Sequence, residues 1–397
     1  MSKFIVFCAD GTWNGPGQPD GSGEVNAITN VLKAYRWLDG TARPGSSDTA
    51  LEQEKSLSDG AGGVAQVAKY IDGVGDSNNW FVHTIGGDFG AGMIARIVRG
   101  YTFISRHYEP GDKIVLLGFS RGAYTVRALG GLITGQGLLD RTKLDLGDRN
   151  RAYAWGCCAW RSHRAATCGD EGFLQKLAEA VPTLDAQLTQ PPAADAYVRA
   201  PIEAIFVWDT VGALGIPDIQ KGVNIDLFCF VDTRLAATVA HGFHAISADE
   251  QRPNFTPTLW DADDRIVQVI FPGAHADVGG GYPVANNESG LSDCALHWAV
   301  DKLQGVGVRF SAPDRDFRPD KAGVAHAPWR AFPWNQMDPQ PRHLPAGLAL
   351  SQSVLDRLAL PVVFDYPGAP ATLYNPAALG AYLAGRSIKS DVPIVLY

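Results

Sequence analysis

Lys113-Ile114-Val115-Leu116-Leu117-Gly118-Phe119-Ser120-Arg121-Gly122-Ala123-Tyr124 is the stretch whose reading decides the fold. Residues 113–117 are apolar after the first position and stop at a glycine, which reads as a buried strand. From Arg121 to Ile133, the apolar residues Ala123, Val126, Leu129 and Ile133 recur at helical spacing. Between strand and helix, Gly118-Phe119-Ser120-Arg121-Gly122 matches G-x-S-x-G. Strand, tight turn and helix together form the setting of a nucleophile elbow, which lifts a serine hydroxyl clear of the sheet edge. Both glycines are needed because bulkier residues would clash in so tight a turn. At the helix N-terminus, the Arg121 N–H is oriented to meet a developing oxyanion. The competing reading is a serine at an ordinary strand–helix turn.

Working outward, the same alternation continues. Phe4–Ala9 reads as a strand, Ala27–Leu38 as a helix after a Gly/Pro-rich loop, Ala68–Asp72 as a short strand and Met93–Tyr108 as a helix. Downstream, Ile202–Trp208 and Arg265–Phe271 read as buried strands and Gly290–Gln304 as a helix. The pattern predicts an α/β fold, α/β-hydrolase-like, with a mostly parallel central sheet flanked by helices. Residues 140–195 interrupt it with two helical stretches and a Pro191-Pro192 stop. This helical insertion carries Tyr153, Trp155, Trp160 and Phe173, and is expected to lid an apolar pocket; the alternative is a decoration held by its own aromatics. After residue 310 the chain turns Pro-rich and irregular. The expected organisation is a catalytic domain over 1–310, including the insertion, and a C-terminal extension over 311–397 packed on the core.

Composition narrows the function. The chain has 397 residues, 46% hydrophobic and 19% charged, which is the profile of a globular protein and too apolar for a disordered one. Net charge is −8 and no Lys/Arg run occurs, which argues against nucleic acid as a partner. Cys8, Cys157, Cys158, Cys168, Cys229 and Cys294 form no C-x-x-C pair and no regular framework, as expected in a reducing compartment. The apolar stretch Phe4–Ala9 is too short for a signal-peptide core, and no run is long enough to span a bilayer. Synthesis in the cytoplasm without a cleaved signal is therefore expected.

A serine hydroxyl is a poor nucleophile at neutral pH and needs a base, itself oriented by a carboxylate. In α/β-hydrolases the order along the chain is Ser, acid, His. Asp209 closes the strand Ile202–Trp208, and His275 follows the strand Arg265–Phe271, so all three residue types fall at C-terminal ends of strands, where open α/β sheets gather their sites. Asp277 is the alternative acid, but two residues from His275 in one loop it is badly placed to reach the imidazole; binding the Gly279-Gly280-Gly281 run is its other role. Cys8-Ala9-Asp10-Gly11-Thr12 is similar to the D-x-D-G-T opening of haloacid dehalogenase phosphatases. Cys8 stands where their nucleophilic aspartate belongs, so Asp10 is instead expected to fold the loop, with Gly11 or Thr12 N–H as second oxyanion donor. His241 and His244 fall at i, i+3 on an expected helix near Asp249 and Glu250, and Cys157, Cys158, His163 and Cys168 cluster in the insertion. For the histidine pair a metal site is the alternative to an ordinary helix face, which is favoured; the cysteine cluster fits no common zinc spacing and reads as buried free thiols, and no phosphate-binding G-x-x-x-x-G-K-[ST] loop occurs. No cofactor and no metal are expected.

In combination these motifs resemble the catalytic domain of type VI secretion phospholipase effectors, a family first known as a domain of unknown function. The matching segments are residues 7–14 (Phe-Cys-Ala-Asp-Gly-Thr-Trp-Asn), Tyr108-Glu109-Pro110-Gly111-Asp112, Gly118 to Tyr124 with Arg127-Ala128-Leu129, Trp208-Asp209-Thr210-Val211, Asp249-Glu250-Gln251-Arg252 and residues 271–282 (Phe-Pro-Gly-Ala-His-Ala-Asp-Val-Gly-Gly-Gly-Tyr). They span residues 1 to about 310. The resemblance implies an α/β-hydrolase core with Ser120, Asp209 and His275 as triad, cleaving acyl esters of phospholipids. It further implies an antibacterial effector with a secretion-apparatus carrier or immunity protein as partner, delivered to a target-cell periplasm. A soluble carboxylesterase or polyester hydrolase with the same triad is the alternative.

Overall fold

The computed structural model describes residues 2–11, 27–43, 50–73, 88–167, 185, 188–211, 233–332, 334–388 and 390–396. Twelve strands are defined among them: β1 (Phe4–Ala9), β2 (Thr41–Ala42), β3 (Glu52–Ser58), β4 (Val64–Ile71), β5 (Lys113–Phe119), β6 (Leu138–Leu139), β7 (Tyr197–Val198), β8 (Ile202–Trp208), β9 (Val239–Ser247), β10 (Ile266–Phe271), β11 (Ala349–Ser351) and β12 (Ile394–Val395). Ten form one sheet in the order β12-β11-β10-β9-β8-β5-β1-β4-β3-β2, and β6 pairs with β7 apart from it. Every pairing from β12 to β4 is parallel, and only the β4-β3-β2 edge is antiparallel. The fold is thus α/β, hydrolase-like, with the mostly parallel sheet its sequence pattern predicts.

Strand side chains alternate between two apolar layers, as the pleat requires. Ile5 and Phe7 of β1, with Ile114 and Leu116 of β5, face the helices Asp88–His107 and Arg121–Gln136. Val6, Cys8, Val115 and Leu117 face the opposite way, toward the helices Asn30–Trp37 and Gly290–Gly305. With both faces covered, central strands read as continuous apolar runs, which is why they stand out in the sequence. A third cluster, including Ile246, Ile270, Leu350, Val354, Leu379 and Tyr382, joins β9 and β10 to the chain beyond residue 340.

Several elements differ from the sequence reading. The strand expected at Ala68–Asp72 starts four residues earlier, at Val64. The expected helix around His241 and His244 is β9, whose period of two sends the histidines to opposite faces of the sheet. His241 stacks on Phe243, while His244 is buried and its Nε2 accepts the Thr210 N–H at 3.1 Å. Burial pushes the His244 pKa down to about 3, so its ring stays neutral. These two residues are no metal pair. Strands β2, β3, β11 and β12 carry no sequence signal: β3 is Glu-Gln-Glu-Lys-Ser-Leu-Ser, a polar strand next to the edge, tied to β4 by Lys69, which bridges Glu52 (2.7 Å) and Glu54 (3.1 Å).

Within 140–195 the helix Arg149–Thr167 packs on the helices Asp88–His107 and Arg121–Gln136. Cys157 and Trp160 are buried in the same core cluster as Ile97 and Leu129, and Tyr153 and Trp155 are half-buried against it. Along this stretch the helix is a buried layer of the core. Phe173 and Cys168 lie outside the described residues.

Candidate active site

Four parallel strands deliver the site at one edge of the sheet. The chain leaves β1 at Asp10, β5 at Ser120, β8 at Asp209 and, past a short turn, β10 at His275. In register, Phe119 lies opposite Trp208, and Ala9 opposite Gly118, so the strand ends are level.

Ser120 has φ 56° and ψ −122°, a conformation that costs a non-glycine residue about 1–3 kcal/mol and recurs at functional turns. Its N–H donates to Trp208 O at 3.0 Å, and its carbonyl accepts the Tyr124 N–H at 3.2 Å. Packing over-determines the turn. A Cβ at Gly118 would come within 2.5 Å of Gly122 O, and one at Gly122 would land on Ala9 O. Both glycines of the motif are thus steric necessities.

Asp209 is fully buried and also holds a positive φ, 39°. Its Oδ2 meets His275 Nδ1 at 2.5 Å. An ionised carboxylate only accepts, so Nδ1 carries the proton and Nε2 is left with a lone pair. Oδ1 accepts the Ser247 N–H at 3.0 Å. Arg342 Nη1 donates to Oδ1 at 2.6 Å, and Arg342 Nη2 to Oδ2 at 2.8 Å. Burial alone would raise the Asp209 pKa; the Arg342 guanidinium and the His275 hydrogen bond outweigh it and hold the carboxyl well below the usual range. Burial depresses the His275 pKa, and the Asp209 hydrogen bond and charge oppose that without cancelling it. A neutral imidazole is the form a general base needs.

The turn carrying His275 is pinned from several sides. The His275 N–H donates to Glu250 Oε2 at 3.2 Å, and Glu250 in turn accepts from Arg252 Nη2 at 2.8 Å. Asp249 Oδ2 accepts the Gly273 N–H at 2.8 Å. Phe119 and Phe255 flank the imidazole, with ring centroids 4.6 and 5.0 Å away, and Trp334 stacks edge-on against Phe255. Asp277 makes no bond to the His275 ring. Its Oδ1 meets His326 Nδ1 at 2.6 Å, while Oδ2 accepts the N–H groups of Ala274 and His326. His326 Nε2 lies 3.1 Å from Glu288 Oε2, and Tyr282 stacks on its ring.

Asp10 Oδ2 accepts from Thr29 Oγ1 and Tyr70 Oη, both at 2.7 Å, and Oδ1 accepts the Gly11 N–H at 2.7 Å. The Gly11 N–H is thereby engaged and differs from the expected oxyanion donor. Gly11 nevertheless borders the nucleophile: a Cβ there would sit 3.3 Å from Ser120 Cβ. Thr12, the other expected donor, lies outside the described residues. Ser120, Asp209, His275, Gly11 and Arg121 are brought to one edge; Asp10 and Asp277 support neighbouring loops.

Three participants escaped the sequence reading. Glu250 sits in a recognised motif but shows no role there, since its partner is a backbone N–H 25 residues on. His326 and Arg342 lie in the Pro-rich segment, where no periodicity marks them. Arg342 bonds to a residue 133 positions earlier.

A family model described as the type VI secretion system phospholipase effector Tle1-like catalytic domain matches residues 3–302. The chain belongs to that family. This Tle1-like chain is 26% identical to the uncharacterized protein YEL023C of Saccharomyces cerevisiae, over 64% of its own length and 32% of the yeast protein. Among solved structures, an uncharacterized protein from Pseudomonas aeruginosa aligns at 16% identity and TM-score 0.41, over 79% of this chain and 47% of that one. A Tle1 effector bound to the VgrG spike of the type 6 secretion system aligns at 17% identity and TM-score 0.35, over 72% and 52%. A thermophilic esterase from Thermogutta terrifontis aligns at 14% and 0.35, over 79% and 86%. The chain thus spans about a third of the yeast relative and about half of the first two structures.

Proposed function

We propose that this Tle1-like chain is a serine ester hydrolase acting on lipid esters, with phospholipase A-type release of acyl chains as its reaction. The observation that carries the reading is the Asp209–His275 pair, 2.5 Å apart, with Phe119, the residue before a serine held at positive φ in a G-x-S-x-G turn, packed on the imidazole. Membership of a phospholipase effector family supports lipid esters as the substrate class.

Ser120 Oγ attacks the ester carbonyl carbon as His275 Nε2 takes its proton, and the charge passes to the carbonyl oxygen. Asp209 stabilises the imidazolium that forms. The oxyanion collapses, the ester C–O bond breaks, and His275 returns the proton to the leaving alcohol. Water then repeats the sequence on the acyl-serine, releasing fatty acid and restoring Ser120. The Arg121 N–H at the start of the helix is the proposed oxyanion donor. Phe255, half-buried against the His275 ring and backed by Trp334, is the apolar surface proposed to meet an acyl chain.

Among the described residues no helix is long and apolar enough to cross a membrane. Family membership supports carriage by a type VI secretion apparatus; an immunity protein in the producing cell is the proposed counterpart.

The test is fatty-acid release from phosphatidylethanolamine/phosphatidylglycerol vesicles, beside a short-chain ester and a Ser120→Ala control. Release that the substitution lowers at least about a thousandfold supports the reading. Turnover of the short ester alone would move the substrate to soluble esters, and wild-type rates in the Ser120→Ala protein would overturn the mechanism.

A further inference from the structure

Arg342 comes from the segment beyond residue 310, yet it reaches into the site and grips the acid of the Ser120 arrangement. Its two terminal nitrogens meet the two oxygens of Asp209 at 2.6 and 2.8 Å, the paired geometry that a planar guanidinium makes with a carboxylate. The same nitrogens donate to Ser247 O at 2.9 Å and Phe255 O at 2.5 Å, so the guanidinium is itself held in place. Both partners are buried. The segment around it is fastened by Gln340, whose N–H donates to Gln251 O at 2.8 Å.

Asp209 Oδ2 therefore answers to two donors, His275 Nδ1 and Arg342 Nη2. A carboxylate already matched by a buried cation stabilises an adjacent imidazolium less than a bare one does. It is also fixed in plane, with one oxygen aimed at the ring. Other charges around His275 are accounted for: Glu250, on its backbone N–H, is paired with Arg252, and Asp277 is paired with His326. The rings packed against the imidazole, Phe119 and Phe255, are uncharged.

We propose that Arg342 is a positioning residue for the Asp209–His275 pair, through which the C-terminal segment fixes the carboxylate and sets the pH at which His275 serves as a base. The inference rests on the hydrolase reading for its kinetic consequence, but not for its effect on His275 itself.

The experiment is an NMR titration of the His275 imidazole in the full chain, with Arg342→Gln, Arg342→Lys and wild type compared. The pH profile of kcat/KM on a short-chain ester is measured in parallel. Arg342→Gln is expected to raise the His275 pKa by roughly 1–2 units and to move the acid limb of the profile up with it. kcat should fall about tenfold with KM little changed. Arg342→Lys keeps the charge and loses the paired geometry, so the pKa should stay near wild type while kcat drops at least about threefold. A folded Arg342→Gln protein with an unmoved His275 pKa would overturn the proposal. If Arg342→Gln does not fold, Arg342→Lys decides, and wild-type kcat in that variant overturns the positioning role. If the wild type cleaves no ester at all, the hydrolase reading falls while the NMR titration still reports on Arg342.

Discussion

Ser120 and Asp209 are both held at positive φ without being glycine, and both sit where a β-strand gives way to the site. Such strain persists only where the surroundings leave no other choice. At Ser120 the surroundings are Gly118 and Gly122, packed against each other's backbone and against Ala9 O. Gly122→Ala is expected to lower stability by at least about 3 kcal/mol, because rigid backbone cannot yield to the new methyl. At Gly305, the last residue of its helix, an added methyl would meet nothing within 4 Å, and the backbone has no positive φ. Gly305→Ala should be neutral or stabilising by up to about 1 kcal/mol. Urea unfolding of the two variants checks both, and equal destabilisation would show that the close approach at Gly122 is not what matters. This scale was the most legible in the sequence. The motif glycines, the serine and the strand-end positions of Asp209 and His275 are local features, whereas Arg342 and His326 act through partners 133 and 49 residues away.

Between elements, the sequence reading succeeded where a strand is a sustained apolar run and failed where polar residues or shortness break that run. β1, β5, β8 and β10 are apolar runs, but β3 contains only Leu57 among polar residues. β9 misled because histidines three apart fit a helix as well as they fit a strand with one on each face. A consequence for stability lies in the link between the short helix His275–Gly279 and the 320s segment. Burial opposes charge on His326, yet Asp277 and Glu288, one on each ring nitrogen, outweigh it and raise the His326 pKa. A histidine whose pKa is raised on folding contributes stability below its unfolded value of about 6.5 and loses it as pH rises through the folded value. The urea midpoint should therefore drift down above about pH 6.5, and His326→Gln should flatten that drift. A variant that keeps the full wild-type slope would place the titrating group elsewhere.

The whole molecule is built around a sheet that the C-terminal segment completes. β11 pairs with β10 and β12 with β11, and Leu350, Val354, Leu379 and Tyr382 share a core with Ile246 and Ile270. A chain cut after residue 310 would bare the β10 edge and that apolar face, so it should aggregate or elute as large assemblies on gel filtration. A monodisperse, cooperatively melting fragment would mean that the first 310 residues stand alone. Composition gave no hint of this dependence, because a Pro-rich, aperiodic segment reads as a loose cover whether or not it carries strands of two or three residues.

Arg342 also sets an order in time. A ribosome releases residues from the N-terminal side first, so Ser120, Asp209 and His275 emerge long before the cation that neutralises the buried carboxylate. During that interval the nascent chain holds the proposed triad but lacks the counter-charge, and the proposed centre would ripen only once Arg342 has emerged. Ribosome-bound chains stalled before and after Arg342 clears the exit tunnel should differ in labelling of Ser120 by a fluorophosphonate; equal labelling would mean that the centre is already competent when the first strands have met.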